Sequence, residues 1–167
     1  LVFYDLETCS SNVSYGQIIQ VAAVLVNDEF QELSRYEGRC KLSPGIIPEA
    51  MALIVNKTHP KILKETNLSH YQMIRQMMEK FNQWKNSIFI GWNNILFDRE
   101  FLRRTLFKNL DYPYLTVTNG NEEGDLLPMA RSAHLYYPGC IKTPISDKNN
   151  PVFKLDKLAP INGIKHE

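Results

Sequence analysis

Two short stretches carry side chains whose types and spacing could do chemistry. In VFYDLETCS (residues 2–10), Asp5 and Glu7 interrupt what otherwise reads as a buried β-strand, although carboxylates are seldom buried without a partner. Alternate side chains of a strand share a face, so the two acids point the same way, about 6–7 Å apart by strand rise. Two anions side by side attract a cation, and hard oxygen ligands at a sheet end suit Mg²⁺ or Mn²⁺. An acidic strand end that is simply wet is the other reading of this pair.

The second stretch is GWNNILFDRE (residues 91–100), where Asp98 follows an apolar run and opens a helical pattern. A helix N-cap explains such an aspartate without any chemistry. Its flanks ask for more, because Asn93 and Asn94 sit in apolar surroundings and Phe97 directly precedes the acid. Asn94, Phe97 and Asp98 can present an amide, an aromatic face and a carboxylate around one spot.

The remaining pattern must position these groups. Residues 1–7 read as a first strand, residues 18–26 (IIQVAAVLV) as a second and residues 33–42 as a third, more amphipathic one, forming a meander. Residues 43–64, with Pro44, Gly45, Pro48 and Pro60, cannot form one long helix and read as a loop with a short helical turn. Tyr71, Ile74, Met77, Met78, Phe81 and Trp84 recur at helical spacing, predicting a surface helix with one buried stripe. Residues 88–90 then read as a buried strand ended by Gly91, and Phe101, Leu102, Leu106 and Leu110 as a further helix face. Asp125 opens another helix that tolerates Pro128 in its first turn, Gly139 stops it, and residues 153–159 form a last short helix. This order predicts an α/β domain with a mixed β-sheet flanked by helices.

Bulk composition narrows the classes. The 167 residues are 44% hydrophobic, enough for one compact domain with a real core. A net charge of +1 excludes a global basic field, so any polyanion site must be local. Cys9, Cys40 and Cys140 are odd in number and form no CxxC pair, which fits a reducing compartment. No apolar run reaches bilayer length, so the sequence predicts a soluble, cytoplasmic chain with no membrane partner. Leu1 already lies inside a strand and Glu167 stops without a cap, so residues 1–167 read as a single domain that is incomplete at both ends.

FYDLET followed some ninety residues later by NNILFD resembles the first two signature motifs of the DEDD superfamily of 3′-to-5′ exonucleases, which have a ribonuclease H-like fold. DLLPMARSAHLYYPGCI (residues 125–141) and FKLDKLAPINGIKH (residues 153–166) are similar to stretches of its exonuclease I-type branch, so the resemblance spans nearly the whole chain. It implies Asp5, Glu7 and Asp98 as catalytic acids and ligands of two Mg²⁺ or Mn²⁺ ions, with Asp5 bridging. Two such ions about 4 Å apart supply a hydroxide at neutral pH and stabilise the leaving oxygen. It further implies hydrolysis of single-stranded DNA from its 3′ end to nucleoside 5′-monophosphates, with single-strand DNA-binding protein as a further partner. Leu6, Thr8, Asn94 and Phe97, all next to the acids, are the substrate-binding candidates, because stacking on an aromatic ring holds a base without reading sequence. Arg99, Arg103, Arg104 and Lys108 form either a solvated helix face or a phosphate track.

The sequence also departs from the family pattern. Its general-base histidine and final aspartate, in an H-x-A-x-x-D motif, are not present in this chain. His166 corresponds to a histidine preceding that motif, and His59, His70 and His134 read as ordinary loop or helix-surface residues. Either the sequence stops short of the motif or the protein binds nucleic acid without cutting it; survival of three ligands favours the first. An RNA-directed exonuclease is a third reading. Cys9-Ser10 stands where relatives commonly carry Thr-Gly, and Lys57 where a glycine is usual, in a loop implied to touch the terminal bases.

Overall fold

The computed structural model describes residues 1–164, and His166 and Glu167 lie outside that range. It divides into two units, Leu1–Gly124 and Asp125–Glu167. The first holds the expected meander of three antiparallel strands, β1 (Val2–Thr8), β2 (Ile18–Val26) and β3 (Glu32–Arg39), the last ending three residues earlier than its pattern predicts. β4 (Ile88–Gly91) lies parallel to β1 on its other side, and β5 (Glu122–Asp125) follows it, giving the order β3-β2-β1-β4-β5. The sheet is therefore mixed, and β1 with its two acids occupies the centre.

Between β3 and β4 run α1 (Ala50–Val55), α2 (Pro60–Glu65) and α3 (His70–Gln83). The predicted single turn in residues 43–64 is thus two short helices. Pro60 opens the second instead of breaking it, since a first-turn proline loses no hydrogen bond. His59 caps that helix, its Nδ1 accepting from the Lys61 amide at 3.1 Å. Lys57, just past the end of α1, has φ 53°, a left-handed conformation that suits the glycine the family resemblance leads one to expect there.

Ser69 and Gln72 form a capping box that fixes where α3 starts. Met73, Ile74, Met77 and Phe81 form its buried stripe, with Trp84 buried at the C-cap. The structure corrects two positions of that stripe: Met73 is inside, while Tyr71 is 56% exposed. Tyr4, Phe81, Phe89 and Trp84 form an edge-on and stacked aromatic cluster at the back of β1. Cys9, Ile19, Leu53 and Leu63 form a smaller core beneath α1 and α2.

After β4 the chain enters α4 (Asp98–Lys108), which buries Phe101, Leu102 and Leu106. Leu110, expected on that face, lies beyond the helix and is 94% exposed. In the second unit Asp125 caps α5 (Leu126–Tyr136), accepting from the Leu127 amide at 2.9 Å, as the sequence predicts. Only Leu127 and Ala130 of α5 are buried. α6 (Leu155–Ile161) is the expected last helix, starting two residues later. No helix among the described residues is long and apolar enough to cross a membrane.

Candidate active site at the end of the central strand

β1 alternates as its pattern requires: Val2, Tyr4, Leu6 and Thr8 are buried, while Asp5 is exposed and Glu7 half-buried on the opposite face. The two acids share a side. β4 pairs with β1 only at Val2 and Phe3, so beyond Tyr4 this flank of β1 has no ladder partner. Asp98 fills the gap. Its Oδ1 accepts a 2.9 Å hydrogen bond from the Leu6 amide, the peptide N–H between Asp5 and Glu7, across 92 residues of sequence. An unpaired buried N–H costs about 1–3 kcal/mol, so this bond fixes the second motif against the first. The structure also corrects the N-cap alternative: Asp98 is the first residue of α4, Phe97 occupies the cap, and the Asp98 carboxylate reaches across to β1.

The three carboxylates repel one another. Burial, then the Asp5 charge, pushes the Asp98 carboxyl up to about 7, despite the opposing hydrogen bond from Leu6. Glu7 is likewise pushed up to about 7 by burial and by Asp5, with Arg39 opposing. The Asp5 carboxyl, although its side chain reaches solvent, is raised too by partial desolvation against the protein. Protons held by the folded chain but not the unfolded one between about pH 4 and 7 make stability fall as pH rises through that window. We expect a higher melting temperature at pH 5 than at pH 8 in buffer with chelator, and a flatter profile for Asp98→Asn. A pH-independent melting temperature would mean that neither burial nor mutual repulsion raises these carboxyls.

Glu7 lines a cleft of about 250 Å³ together with Leu6, Thr8 and Phe97. Its other wall is α1, through Met51, Ala52 and Val55. Met51 and Val55 were not singled out in the sequence, although their four-residue spacing places both on one face of any helix there. Phe97 is half-buried and packs on Phe101 with ring centroids 5.0 Å apart, leaving its remaining surface to the cleft. Thr8 donates its hydroxyl to the Ser10 carbonyl at 2.8 Å. Asn94 departs from the expectation: it is wholly buried and its Nδ2 donates to the Tyr4 hydroxyl at 3.2 Å, so it faces the core and not the cleft. Among the described residues, no group of three or more His, Cys, Asp or Glu side chains, Asp5, Glu7 and Asp98 included, stands close enough together to hold a metal ion. Of the four basic residues of α4, Arg99 and Arg103 are tied to Glu100 and Glu123 and Lys108 to the Ser14 carbonyl, and Arg104 is exposed.

The sequence matches the family described as Exonuclease over residues 2–166, and the chain belongs to that family. Among its relatives, the chain is 30% identical to exodeoxyribonuclease I of Haemophilus influenzae, covering 98% of this chain and 35% of that protein. It is 27% identical to exodeoxyribonuclease I of Escherichia coli K12, over 99% of this chain and 35% of that protein. The structure superimposes on Escherichia coli exonuclease I in complex with a dT13 oligonucleotide with a TM-score of 0.92 at 25% identity, covering 99% of this chain and 36% of that one. A structure described as an ExoI/SSB-Ct complex matches with the same TM-score, identity and coverage. The fold is thus the ribonuclease H-like one that the motifs implied. The chain spans about a third of the length of the relatives it matches.

Proposed function

We propose that residues 1–167 serve as an exonuclease domain that hydrolyses single-stranded DNA from the 3′ end to nucleoside 5′-monophosphates, with Asp5, Glu7 and Asp98 as its metal-binding catalytic acids. The hydrogen bond from the Leu6 amide to Asp98 carries this reading, because it draws acids from two distant motifs to one strand end. The donor set fits Mg²⁺ or Mn²⁺ in kind, being carboxylate oxygens throughout, and their mutual repulsion is what a divalent ion would relieve. Three carboxylates leave coordination places open, which accords with the family's fourth acid and its histidine being absent from this sequence. When bound, such ions supply a nucleophile at neutral pH and offset charge on the leaving oxygen. Asp98 is held by Leu6 and the acids of β1 by the sheet, so the protein itself fixes where that charge is offset.

Phe97, Leu6 and Thr8 would meet the terminal nucleotide in the cleft, with Met51 and Val55 opposite, while Asn94 supports them from behind. A base stacked on one aromatic ring is held by about 1–3 kcal/mol with little sequence selectivity. The oligonucleotide complex of the Escherichia coli relative supports DNA as the polymer, and the ExoI/SSB-Ct complex supports single-strand DNA-binding protein as a partner. Three free cysteines among the described residues fit the reducing cytoplasm.

The test is a 3′-end-labelled single strand, offered as DNA or as RNA with Mn²⁺, to this chain carried on through an H-x-A-x-x-D segment. Release of deoxynucleoside 5′-monophosphates is expected. Preferential release from RNA would overturn the choice of polymer, and tight binding without cleavage would make the protein a silent nucleic-acid-binding module.

A further inference from the structure

One carboxylate outside the cleft has no assigned task. Glu123, on β5, is 4% exposed in its side chain and accepts from the Thr116 hydroxyl. Arg99 Nη1 approaches it at 3.3 Å and Arg103 Nη2 at 4.0 Å. The same two arginines reach Glu100, Arg99 through Nε at 3.4 Å and Arg103 through Nη1 at 3.6 Å. Arg103 also lies over the Tyr114 ring, 5.0 Å from its centroid. Two cations and two anions thus form a closed, neutral group beside the first turn of α4.

Arg99, the neighbour of Asp98 in sequence, is a cation that could pair with its carboxylate. It does not. Its guanidinium is drawn to Glu123, and its backbone amide donates to the Asn94 carbonyl at 2.9 Å, which fixes the turn leading into α4. The Asp98 carboxyl accepts from backbone amides, that of Leu6 and its own, and among the described residues no cation is one of the groups acting on it.

We infer that Glu123 is a positioning residue that holds Arg99 away from Asp98 and so keeps the three carboxylates open to divalent ions. Neutralising Glu123 would release a guanidinium one residue from Asp98, free to form a strong charge-assisted pair with it. An arginine seated on that carboxylate competes with the metal. The inference rests on the metal-site reading above and adds to it a reason for a buried charge that touches neither cleft nor substrate.

The experiment is titration of the chain with Mn²⁺, read as the rise in melting temperature and by calorimetry. Glu123→Gln is expected to weaken Mn²⁺ binding about tenfold, the lower end of what outer partners of metal ligands contribute. Arg99→Gln alone should stay within about twofold of wild type, and Arg99→Gln with Glu123→Gln should regain most of the affinity, since no guanidinium remains to intrude. A carboxylate acting only as a strut predicts the opposite, a double variant as weak as the single one or weaker. Glu123→Asp keeps the charge and shortens its reach, so it should give an intermediate loss even if Glu123→Gln fails to fold. Unchanged affinity in Glu123→Gln, or no recovery in the double variant, overturns the inference alone. A wild-type chain that does not respond to Mn²⁺ overturns the metal site and the inference with it.

Discussion

Asp98→Asn is expected to lower nuclease activity by more than about a hundredfold, a loss that even outer partners of metal ligands can reach, while raising the thermal stability of the chain at pH 8 without added metal. The two effects have one cause. The asparagine Oδ1 can still accept from the Leu6 amide, so the tie between the motifs persists, but the charge that repels Asp5 and Glu7 is gone. Asp98→Ala separates the contributions, because it also strands a buried N–H and should cost about 1–3 kcal/mol of stability. Thermal melts with and without Mn²⁺ beside a 3′-end assay read both consequences. An Asp98→Asn variant with wild-type activity would remove this residue from the catalytic set.

Gly91→Ala is expected to damage both fold and activity, although residue 91 touches no acid. A Cβ there would meet Asn94 Cβ at 2.6 Å, Asn94 Cγ at 2.9 Å and the Tyr4 carbonyl oxygen at 2.9 Å. All three lie between β1 and the segment leading to Asp98, so they cannot give way without shifting the acids relative to one another. Overpacking of this kind costs about 1–3 kcal/mol, and a misplacement of about 1 Å in a catalytic group can cost a hundredfold in rate. Denaturant melts together with kcat measure the two parts. Wild-type stability and rate in Gly91→Ala would show that the close approach of β4 to β1 does not set the site.

That Asp5 and Glu7 share one face of a strand was legible in the sequence, but not how Asp98 is held against that strand. Asp5 and Glu7 share a face because a strand has a period of two, and their central position follows from the apolar runs on either side. β2 and α3 announced themselves through β-branched residues and an amphipathic stripe. Nothing local marked β5, whose residues Glu-Glu-Gly-Asp have low strand propensity; β4 alongside and the arginines on Glu123 hold it in place. The partner of Asp98 was equally hidden, since a backbone amide 92 residues away leaves no trace in side-chain pattern. Asn94 misled for a related reason: a buried amide was rightly expected to have work, and that work is bonding Tyr4 within the core.

The most direct test is a crystal of the chain soaked in Mn²⁺ and examined by anomalous diffraction at the manganese edge. A peak bounded by carboxylate oxygens of Asp5, Glu7 and Asp98 is expected, and it should disappear in Asp98→Asn. Anomalous density lying elsewhere, or a fully occupied peak that survives loss of the Asp98 charge, would contradict it.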